Sequence, residues 1–524
     1  MLSSGSGRPR LGSALAIVAA LAVVAAPCLA VLSFSSPAPA ATRSNTPRAI
    51  LAYAQCMQTH GDPSFPTPSP TGDSGVHLHV VTAPNSPVAR ANAECEHLLP
   101  NPATGSPGSA ATPASSPSAV AADCLITSDC YSPRLFRVAY GIQPLLERGI
   151  TGRGVSVVLP EEAQTGPVRL EPATKLLQAV TDIRQDLTDF DHRFGLPPAR
   201  IQVITTLAGS SASPWLAGVE EVEDTELVHA VAPGATIREL LVNPADVSTP
   251  ANLATTFATY VAIASSKGEV MSQSGIGQNF NVGEDSWTAA EVAIMNSALQ
   301  DAAKRKLTVV VASGDYGAIG NGSSTPLRDV SLPGSDPLVL SAGGTTLTAN
   351  RVTGAYVSET AWNIPGEVAA NGGGASGGGF SHLFARPAYQ NGVPGIGADR
   401  GVPDVAGDAS DGMALAFSAP GGGDDIVGGG GTSAAAPFWA GLIALADQEA
   451  GHALGFVNPA IYRIARSPLY DKAFHQITTG NNTVVLNGVP ITGYQAGPGW
   501  NPVTGWGTPD AAVLIPLLAR DASQ

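Results

Sequence analysis

The stretch Gly430-Gly431-Thr432-Ser433-Ala434-Ala435-Ala436-Pro437 places a serine where a flexible glycine run meets an apolar helix. Glycine lets the backbone approach a substrate closely, and Pro437 suits a first helical turn, where its missing N–H is not needed. We therefore expect a helix from Ser433 to Ala450 with Ser433 at its positive end. A serine in this position is more often a helix cap than a nucleophile, so the motif needs support from elsewhere in the chain.

Support comes from an acidic segment, residues 220–235, which is typical of a helix ended by a Pro-Gly pair. Glu220 and Asp224 are four residues apart and project from one helical face, where their charges repel unless something compensates them. A solvated acidic face is the simpler interpretation. Leu227 and Val231 argue against it, because apolar residues at helical spacing indicate that the helix packs against a core.

A third carboxyl follows a buried strand. Residues 307–311 are almost continuously apolar, and Asp315 comes soon after them at a glycine-flanked turn. Proteins with parallel sheets place their chemistry at the carboxyl ends of strands. A serine hydroxyl needs a base to take its proton, and a free glutamate, with a pKa near ~4.3, serves as that base mainly in acid. Because carboxylates in contact share a proton, Glu220 can be ionised while Asp224 donates to it.

These segments resemble the sedolisins, serine-carboxyl peptidases that look like subtilisins with the histidine replaced by glutamate. The resemblance runs in the family's order from Cys130 to Leu518. It implies that Ser433 is the nucleophile, Glu220 the general base, Asp224 the residue that orients this base, and Asp315 the acid on the oxyanion side. Further stretches agree with the family: Ser358 to Asn363, Ser376 to Ser381, Arg386 to Gln390, Gly401 to Val405 and Gly497 to Gly505.

Two details refine this assignment. The family's spacing from the helix to Pro233 favours Glu220 as the base over Glu221 or Glu223. At Glu223 the family commonly has leucine, so this chain adds a nearby negative charge that we expect to shift the titration of the pair. A histidine-dependent subtilisin mechanism is not supported, because no aspartate follows the first strand and no segment resembles His-Gly-Thr-His.

The residues beyond position 150 alternate between strands and helices, which favours an α/β, doubly wound parallel sheet flanked by helices. The resemblance implies the same fold class, a subtilisin-like sheet. The expected strands are Val155 to Leu159, Ile201 to Thr205, Thr236 to Val242, Glu269 to Gln273, Leu307 to Val311 and Leu338 to Ser341. The expected helices are Pro172 to Phe194, Glu220 to Val231, Ala251 to Ser266, Ala289 to Lys306 and Ser433 to Ala450.

The function that follows is a secreted endopeptidase that cleaves peptide bonds through an acyl-enzyme. We expect activity to peak well below pH 7, because Asp315 must keep a proton to donate to the tetrahedral oxyanion. A tripeptidyl exopeptidase of the same family is one alternative, and it depends on whether the cleft is closed at one end. A catalytically inactive relative that binds peptides is another.

The resemblance also implies a calcium site, and here the chain departs from the family. Sedolisins bind calcium through two aspartates and backbone carbonyls, at positions that match Gln476, Ile477, Gly497, Gly499 and Asn501. Both carboxylates have become amides, and calcium prefers charged oxygen ligands. We therefore expect no cofactor, with Gln476 and Asn501 hydrogen-bonding across the site. Weak calcium binding is the alternative.

Composition limits the partners. The chain has 27 Lys and Arg against 42 Asp and Glu, a net charge of −15, and only 13% charged residues, where about 25% is ordinary. A net negative chain without a basic stripe argues against nucleic acid, and low charge density limits self-repulsion in acid. We expect peptide or protein substrates, no stable membrane association and a monomer.

The N-terminal part is divided from composition. Residues 1–41 are expected to be a signal peptide, with Arg8 and Arg10 before a short apolar run and a small-residue cleavage site. An uncleaved anchor is the alternative. Residues 42–105 form a small two-cysteine helical module, 106–123 a Pro, Ala and Ser linker, and 124–524 the peptidase domain.

Four cysteines remain after removal of the signal peptide, and in an exported chain they suggest two disulfides. Three pairings are possible. We favour Cys56 with Cys95 and Cys124 with Cys130, because each pair closes within its own segment. Zinc ligation is the alternative, although no Cys-x-x-Cys pair is present.

Overall fold

The computed structural model describes residues 130–164, 181–205, 215–242, 249–267, 269–275, 282–322, 325–366, 368, 374–410, 412–418 and 424–521, together with Thr59. Apart from Thr59, these residues belong to one of two compact units of the chain, Thr112–Gln524. The expected signal peptide, the linker and nearly all of the two-cysteine module lie outside the described residues. Of the four paired cysteines only Cys130 is described, and it is buried. The domain boundaries and the disulfides therefore stay predictions.

The helices and strands are numbered in chain order within the described ranges. The helices are α1 Pro133–Ala139, α2 Gln143–Glu147, α3 Ile183–Phe194, α4 Val219–Val231, α5 Pro250–Lys267, α6 Ala289–Lys304, α7 Gly431–Ala450, α8 Asn458–Ala465, α9 Tyr470–Ala473 and α10 Ala511–Asp521. The strands are β1 Ser156–Glu162, β2 Thr181–Asp182, β3 Arg200–Thr205, β4 Leu216–Ala217, β5 Thr236–Val242, β6 Val270–Gln273, β7 Thr308–Ala312, β8 Leu340–Ala349, β9 Tyr356–Ala361, β10 Asn363–Ile364, β11 Gly374–Ala375, β12 Gly379–Ala385, β13 Asp399–Val402, β14 Val405–Asp408, β15 Ala414–Ser418, β16 Asp424–Gly428, β17 Phe474–His475, β18 Val484–Leu486, β19 Val489–Ile491 and β20 Thr508–Pro509.

In the described part of the chain, eight strands form one sheet. Seven of them lie in the order β14-β8-β7-β6-β1-β5-β3, and all six of their pairings are parallel. The eighth, β9, pairs antiparallel with β8. This is the subtilisin-like, doubly wound sheet that the sequence predicts, so the fold class is confirmed.

The strands are apolar because both faces of the sheet are covered. Val157 and Leu159 of β1 belong to one hydrophobic core, which includes α7, while Val158 between them belongs to a second core with α5 and α6. Successive residues of a strand point to opposite faces, so a parallel strand buried on both sides is almost continuously hydrophobic. Helix α7 is buried along most of its length, which explains why its sequence is apolar all round.

Helix α7 packs directly on α4, the acidic helix. A Cβ atom at Gly441 would lie 2.7 Å from the Cβ of Val231, so glycine is what permits this close approach. The two helices carry Ser433 and Glu220 at their N-terminal ends. Their packing thereby fixes the distance between the two predicted catalytic side chains.

Two expectations about helix starts are wrong. Helix α3 begins at Ile183 because Asp182 caps it with its side chain, and Thr181–Asp182 is a strand; residues 172–180 lie outside the described ranges. Helix α7 begins at Gly431, so Pro437 lies inside the helix and not in its first turn. No helix within the described ranges has the length and apolar character needed to cross a membrane.

Candidate active site

The site lies at the carboxyl ends of the central strands. Glu161 is near the end of β1, Ser274 directly follows β6, and Asp315 follows β7 after a short turn. The N-terminal turns of α4 and α7 bring Glu220 and Ser433 to the same place. Carboxyl ends of parallel strands meet at one edge of the sheet, which is why residues distant in sequence converge there.

Glu220 and Ser433 face each other across the packed helices. The Ser433 hydroxyl hydrogen-bonds the Glu220 carboxyl, and this contact opposes a larger effect, burial, which raises the pKa of Glu220 to about 7. Its Oε1 atom is buried and has no hydrogen-bond partner among the described protein atoms. A carboxyl with one free oxygen beside a serine hydroxyl is arranged to accept the proton of that hydroxyl.

Asp224 lies behind Glu220, one helical turn further along α4. Burial and the charge of Glu220 raise the pKa of Asp224 well above its ordinary value, while hydrogen bonds with Ser274 and Glu161 oppose the rise. The Ser274 Oγ atom lies 2.8 and 2.7 Å from the two Asp224 carboxyl oxygens. Asp224 therefore retains its proton in acid.

Ser274 links Asp224 to the nucleophile's backbone. Its Oγ also lies 3.0 Å from the Ser433 carbonyl oxygen. Pro437 has no N–H, so this carbonyl, four residues earlier in the helix, lacks its usual donor. One hydroxyl has a single proton to give. A protonated Asp224 that donates to Ser274, which in turn donates to the Ser433 carbonyl, satisfies every group.

Asp315 is held against the start of α7. Its Oδ1 accepts from the Thr432 backbone N–H and from the Thr432 hydroxyl, each at 2.7 Å. Its own N–H donates to Asn321 at 2.8 Å. Burial raises the pKa of Asp315, and the two Thr432 donors oppose that rise. Gly431, at a φ of +73°, leaves no Cβ to meet the carboxyl, which would lie 2.9 Å away.

The other acidic residues of α4 have different neighbours. Glu221 accepts from the Gly218 N–H at 2.8 Å and from the Gln164 amide at 2.6 Å, so it caps the helix. Glu223 is buried under Gly429, and burial, followed by the charges of Glu220 and Asp224, raises its pKa well above the ordinary value. Among Glu220, Glu221 and Glu223 in the described part of the chain, Glu220 is the one whose carboxyl hydrogen-bonds Ser433.

The described residues supply no cation to compensate this group of carboxyls. Within the described ranges, no lysine or arginine forms an ion pair with Glu161, Glu220, Glu223, Asp224 or Asp315. The charges that act on Glu161, Glu220, Glu223 and Asp224 are those of other carboxylates, and each raises the pKa of its neighbour. Buried like charges cannot all ionise together, so the group titrates as a unit.

The five positions that match the family's calcium ligands lie together, but they do not fit the ion. The Asn501 amide nitrogen donates to the carbonyl oxygens of Ile477 and Gly497, at 3.3 and 3.1 Å. The Gln476 Oε1 accepts from the Gly499 N–H at 3.0 Å. An amide N–H thus occupies the carbonyl lone pairs that a cation would use. Asn501 and Gln476 each bond across the loop, as expected, although they do not bond to each other.

The chain is similar to known peptidases. The Peptidase_S8 model, which describes the subtilase family, matches residues 205–464. Kumamolisin from Bacillus sp. (strain MN-32) is 38% identical over 312 residues, 58% of this chain and 51% of its own length. Sedolisin from Pseudomonas sp. (strain 101) is 32% identical over 347 residues, 64% and 55% of the two chains. Tripeptidyl-peptidase 1 from Homo sapiens is 32% identical over 256 residues, 45% and 41%.

One solved structure is similar to this chain over nearly the whole length of the solved protein. Pseudomonas sedolisin, a serine-carboxyl proteinase complexed with two molecules of pseudo-iodotyrostatin, aligns with a TM-score of 0.58 and 25% identity, covering 74% of this chain and 97% of that one. The chain belongs to the sedolisin family. As a sedolisin-family member it still spans only about half the length of the curated bacterial relatives it matches.

The sequence reasoning missed three contributors to the site. Glu161 could have been noticed in the sequence. It lies near the end of the central buried strand, where a charged side chain is uncommon unless it is paired. Ser274 had a weaker sequence signal, because it comes directly after β6. Thr432, beside the predicted nucleophile, holds Asp315 in a way that only the tertiary structure reveals.

The buried carboxyls predict that the fold is stabler in acid than at neutral pH. Burial raises the pKa of Glu239 from an ordinary 4.5 to about 8, so the folded chain keeps a proton that the unfolded chain has lost. This stabilisation is complete below pH 4.5 and is lost as the pH rises through 8. For Glu239 alone the loss is roughly 3–5 kcal/mol.

The measurement is the free energy of unfolding by denaturant at pH 5, 6.5 and 8. It should fall with pH, and Glu239→Gln should flatten the slope, because the amide is neutral throughout and keeps the bond to the Thr225 hydroxyl. A stability that rises from pH 5 to 8, or an unchanged slope in the variant, would contradict this account.

The amide-filled loop predicts that folding does not respond to calcium. Neither a chelator nor added calcium should change the melting temperature of the wild type, because the carbonyls are already bonded. The double variant Gln476→Asp, Asn501→Asp restores two charged oxygens and should melt higher in calcium than in chelator. A calcium-dependent rise in the wild type would refute the prediction.

Proposed function

We propose that this protein is a secreted, acid-acting serine-carboxyl endopeptidase. The observation that carries the proposal is the contact between Ser433 and a buried, cation-free carboxyl, Glu220, with Asp224 and Asp315 beside it. In this mechanism the Ser433 Oγ attacks the substrate carbonyl and gives its proton to Glu220. Glu220 returns the proton to the leaving amine, and water then hydrolyses the acyl-enzyme by the same route.

Asp315 and Asp224 support this chemistry in different ways. Asp315 in its protonated form donates to the oxyanion of the tetrahedral intermediate, from the turn next to Ser433. Asp224 stays protonated, donates through Ser274 to the Ser433 carbonyl and holds the base in place. Glu161 extends the hydrogen-bonded row to the end of β1.

The active protonation state carries one negative charge shared by Glu220 and Asp315, because the charge of each raises the energy of the other. Burial raises the pKa of Asp315 above its ordinary value of 3.8, so the first proton leaves the pair above pH 3.8. The second leaves near 7, the pKa of Glu220. Between these limits the pair carries one charge and one proton. The proton lies mainly on Glu220, and the reaction proceeds through the less populated tautomer, in which Glu220 carries the charge and Asp315 the proton. Activity is thus confined to mild acid.

Endopeptidase action is proposed in preference to tripeptide release because tripeptidyl-peptidase 1 matches this chain over a shorter stretch than the two bacterial relatives do. Secretion rests on the expected signal peptide. The inactive-relative alternative is disfavoured by the complete set of Ser433, Glu220, Asp224 and Asp315.

Variants of the carboxyl group separate the base from its neighbours. Glu220→Gln and Ser433→Ala should abolish turnover of a denatured protein substrate, and Asp315→Asn should lower kcat by ~10²–10³, the usual cost of an oxyanion contact. Glu223→Gln is the matched control: it changes a buried glutamate on the same helix, yet it mimics the protonated form that Glu223 keeps in acid. It should retain kcat within about threefold.

The assay is kcat and KM from pH 3 to 8. The wild type should peak below neutrality and fall through pH 7. An optimum near pH 8, or equal residual rates for wild type and Ser433→Ala, would reject the catalytic assignment.

Substrates with a blocked N-terminus distinguish endo- from exopeptidase action. An N-acetylated, internally quenched decapeptide should be cleaved as fast as the free peptide, because an endopeptidase does not read the terminal amine. Mass spectrometry of the products identifies the cleaved bonds. Ordered release of tripeptides from the free peptide alone would assign the exopeptidase activity instead.

A further inference from the structure

A second group of titratable side chains lies outside the proposed catalytic residues. Glu284, in a short 3-10 helix, Asp329, in the segment before β8, and His382, in β12, bring one ligand atom each within 4.8 Å of one another. Glu284 and Asp329 are buried, and the side chain of His382 is 47% exposed. Three separate parts of the chain therefore meet at one polar point near the surface.

The donor distances match those of a metal site. The His382 Nδ1 atom lies 3.2 Å from Glu284 Oε2 and 3.5 Å from Asp329 Oδ1. Donors bound to zinc at about 2.0–2.2 Å in a tetrahedron are separated from one another by about 3.3–3.6 Å. Two carboxylates and one imidazole are also a donor set that divalent transition metals accept.

A second, independent observation concerns the other ring nitrogen. His382 Nε2 lies 3.3 Å from Asp285 Oδ1. A metal-binding histidine nearly always gives its second N–H to a carboxylate or carbonyl, which fixes the tautomer and leaves the first nitrogen free to bind. Asp285 lies within ion-pair distance of Nε2. In the tautomer protonated at Nε2, the unprotonated Nδ1 is the nitrogen nearest Glu284 and Asp329.

The two buried carboxylates are themselves held rigidly. Glu284 Oε1 accepts from the Ser381 hydroxyl at 2.6 Å, and Oε2 accepts from the His382 N–H at 2.8 Å. Asp329 Oδ1 accepts from the Val330 N–H at 2.8 Å. A Cβ atom at Gly283 would lie 2.4 Å from Asp329 Oδ2, so glycine keeps the space beside the carboxylate open.

We propose that Glu284, Asp329 and His382 bind one divalent transition metal ion, with zinc as the representative ion and water as the fourth ligand. Asp285 orients the histidine. The exposed imidazole gives the ion access from solvent, and the ion joins three segments that the backbone connects only at a distance. One of these adjoins Asn321, since the Gly283 N–H donates to the Asn321 carbonyl. Asn321 in turn accepts from the Asp315 N–H.

The test uses the full chain, stripped of metal and held at pH 7. Titration calorimetry should show zinc binding at a site whose affinity depends on His382. The melting temperature of the protein should rise with zinc concentration. His382→Ala should weaken this binding by at least ~10-fold, and Asp285→Asn by ~10–100-fold. His452→Ala, which removes another exposed imidazole, should leave it unchanged.

X-ray absorption at the zinc edge should give nitrogen and oxygen donors at about 2.0–2.1 Å with one imidazole. Because His382 is exposed, its replacement should not unfold the chain, and circular dichroism checks this. If the variant does unfold, the edge spectrum of the wild type decides alone. Absent zinc binding, equal affinity in His382→Ala, or sulfur donors in the spectrum would overturn the proposal and leave His382 as an ion-pair partner only. Binding is read without peptide hydrolysis, so its failure is separate from that of the proposed function.

Discussion

The arrangement depends on burying several carboxyl groups of α4 against α7 without a cation to neutralise them. An isolated buried carboxylate is costly, and a group of them can persist only by keeping protons. That requirement restricts the activity of the site to acidic pH. The same burial that destabilises the ionised group at neutral pH holds Glu220 beside Ser433 and keeps Asp224 protonated, so stability and chemistry have one origin.

A buried ion pair outside the central sheet shows the contrast. Arg400 and Asp404 are both fully buried and bonded at two positions, at 2.7 and 2.6 Å. The Tyr462 hydroxyl and the Asn458 amide complete the shell of Asp404. The charge of Arg400 compensates that of Asp404, and both Asp404 carboxylate oxygens accept hydrogen bonds. This pair is therefore suited to a structural role. The Glu220 carboxyl, with its free oxygen and no cation, is suited to exchange a proton.

Much of the fold could be predicted because parallel strands covered on both faces leave a strong apolar pattern. Leu307 to Val311 lies within one residue of the observed strand at both ends. Val155 to Leu159 begins one residue before its strand and ends three residues short of it. The start of α7 was misplaced, since a proline suggests a first turn. Pro437 instead lies inside the helix, and the Ser433 carbonyl that it leaves without a donor accepts from Ser274, a contact 159 residues away. Long-range hydrogen bonds of this kind leave no local signal. The same limit hid the role of Thr432. Glu220, Asp224, Asp315 and Ser433 were predicted from the resemblance to the family.

The central claim is that the buried carboxyls keep protons at a pH where ordinary carboxyls have lost them. Infrared difference spectroscopy between pH 6 and pH 8 tests it directly, because protonated and ionised carboxyl groups absorb separately. The account predicts a protonated-carboxyl band at pH 6 that is weaker at pH 8 and weaker in Asp224→Asn. A spectrum at pH 6 that contains only ionised carboxylates would contradict it.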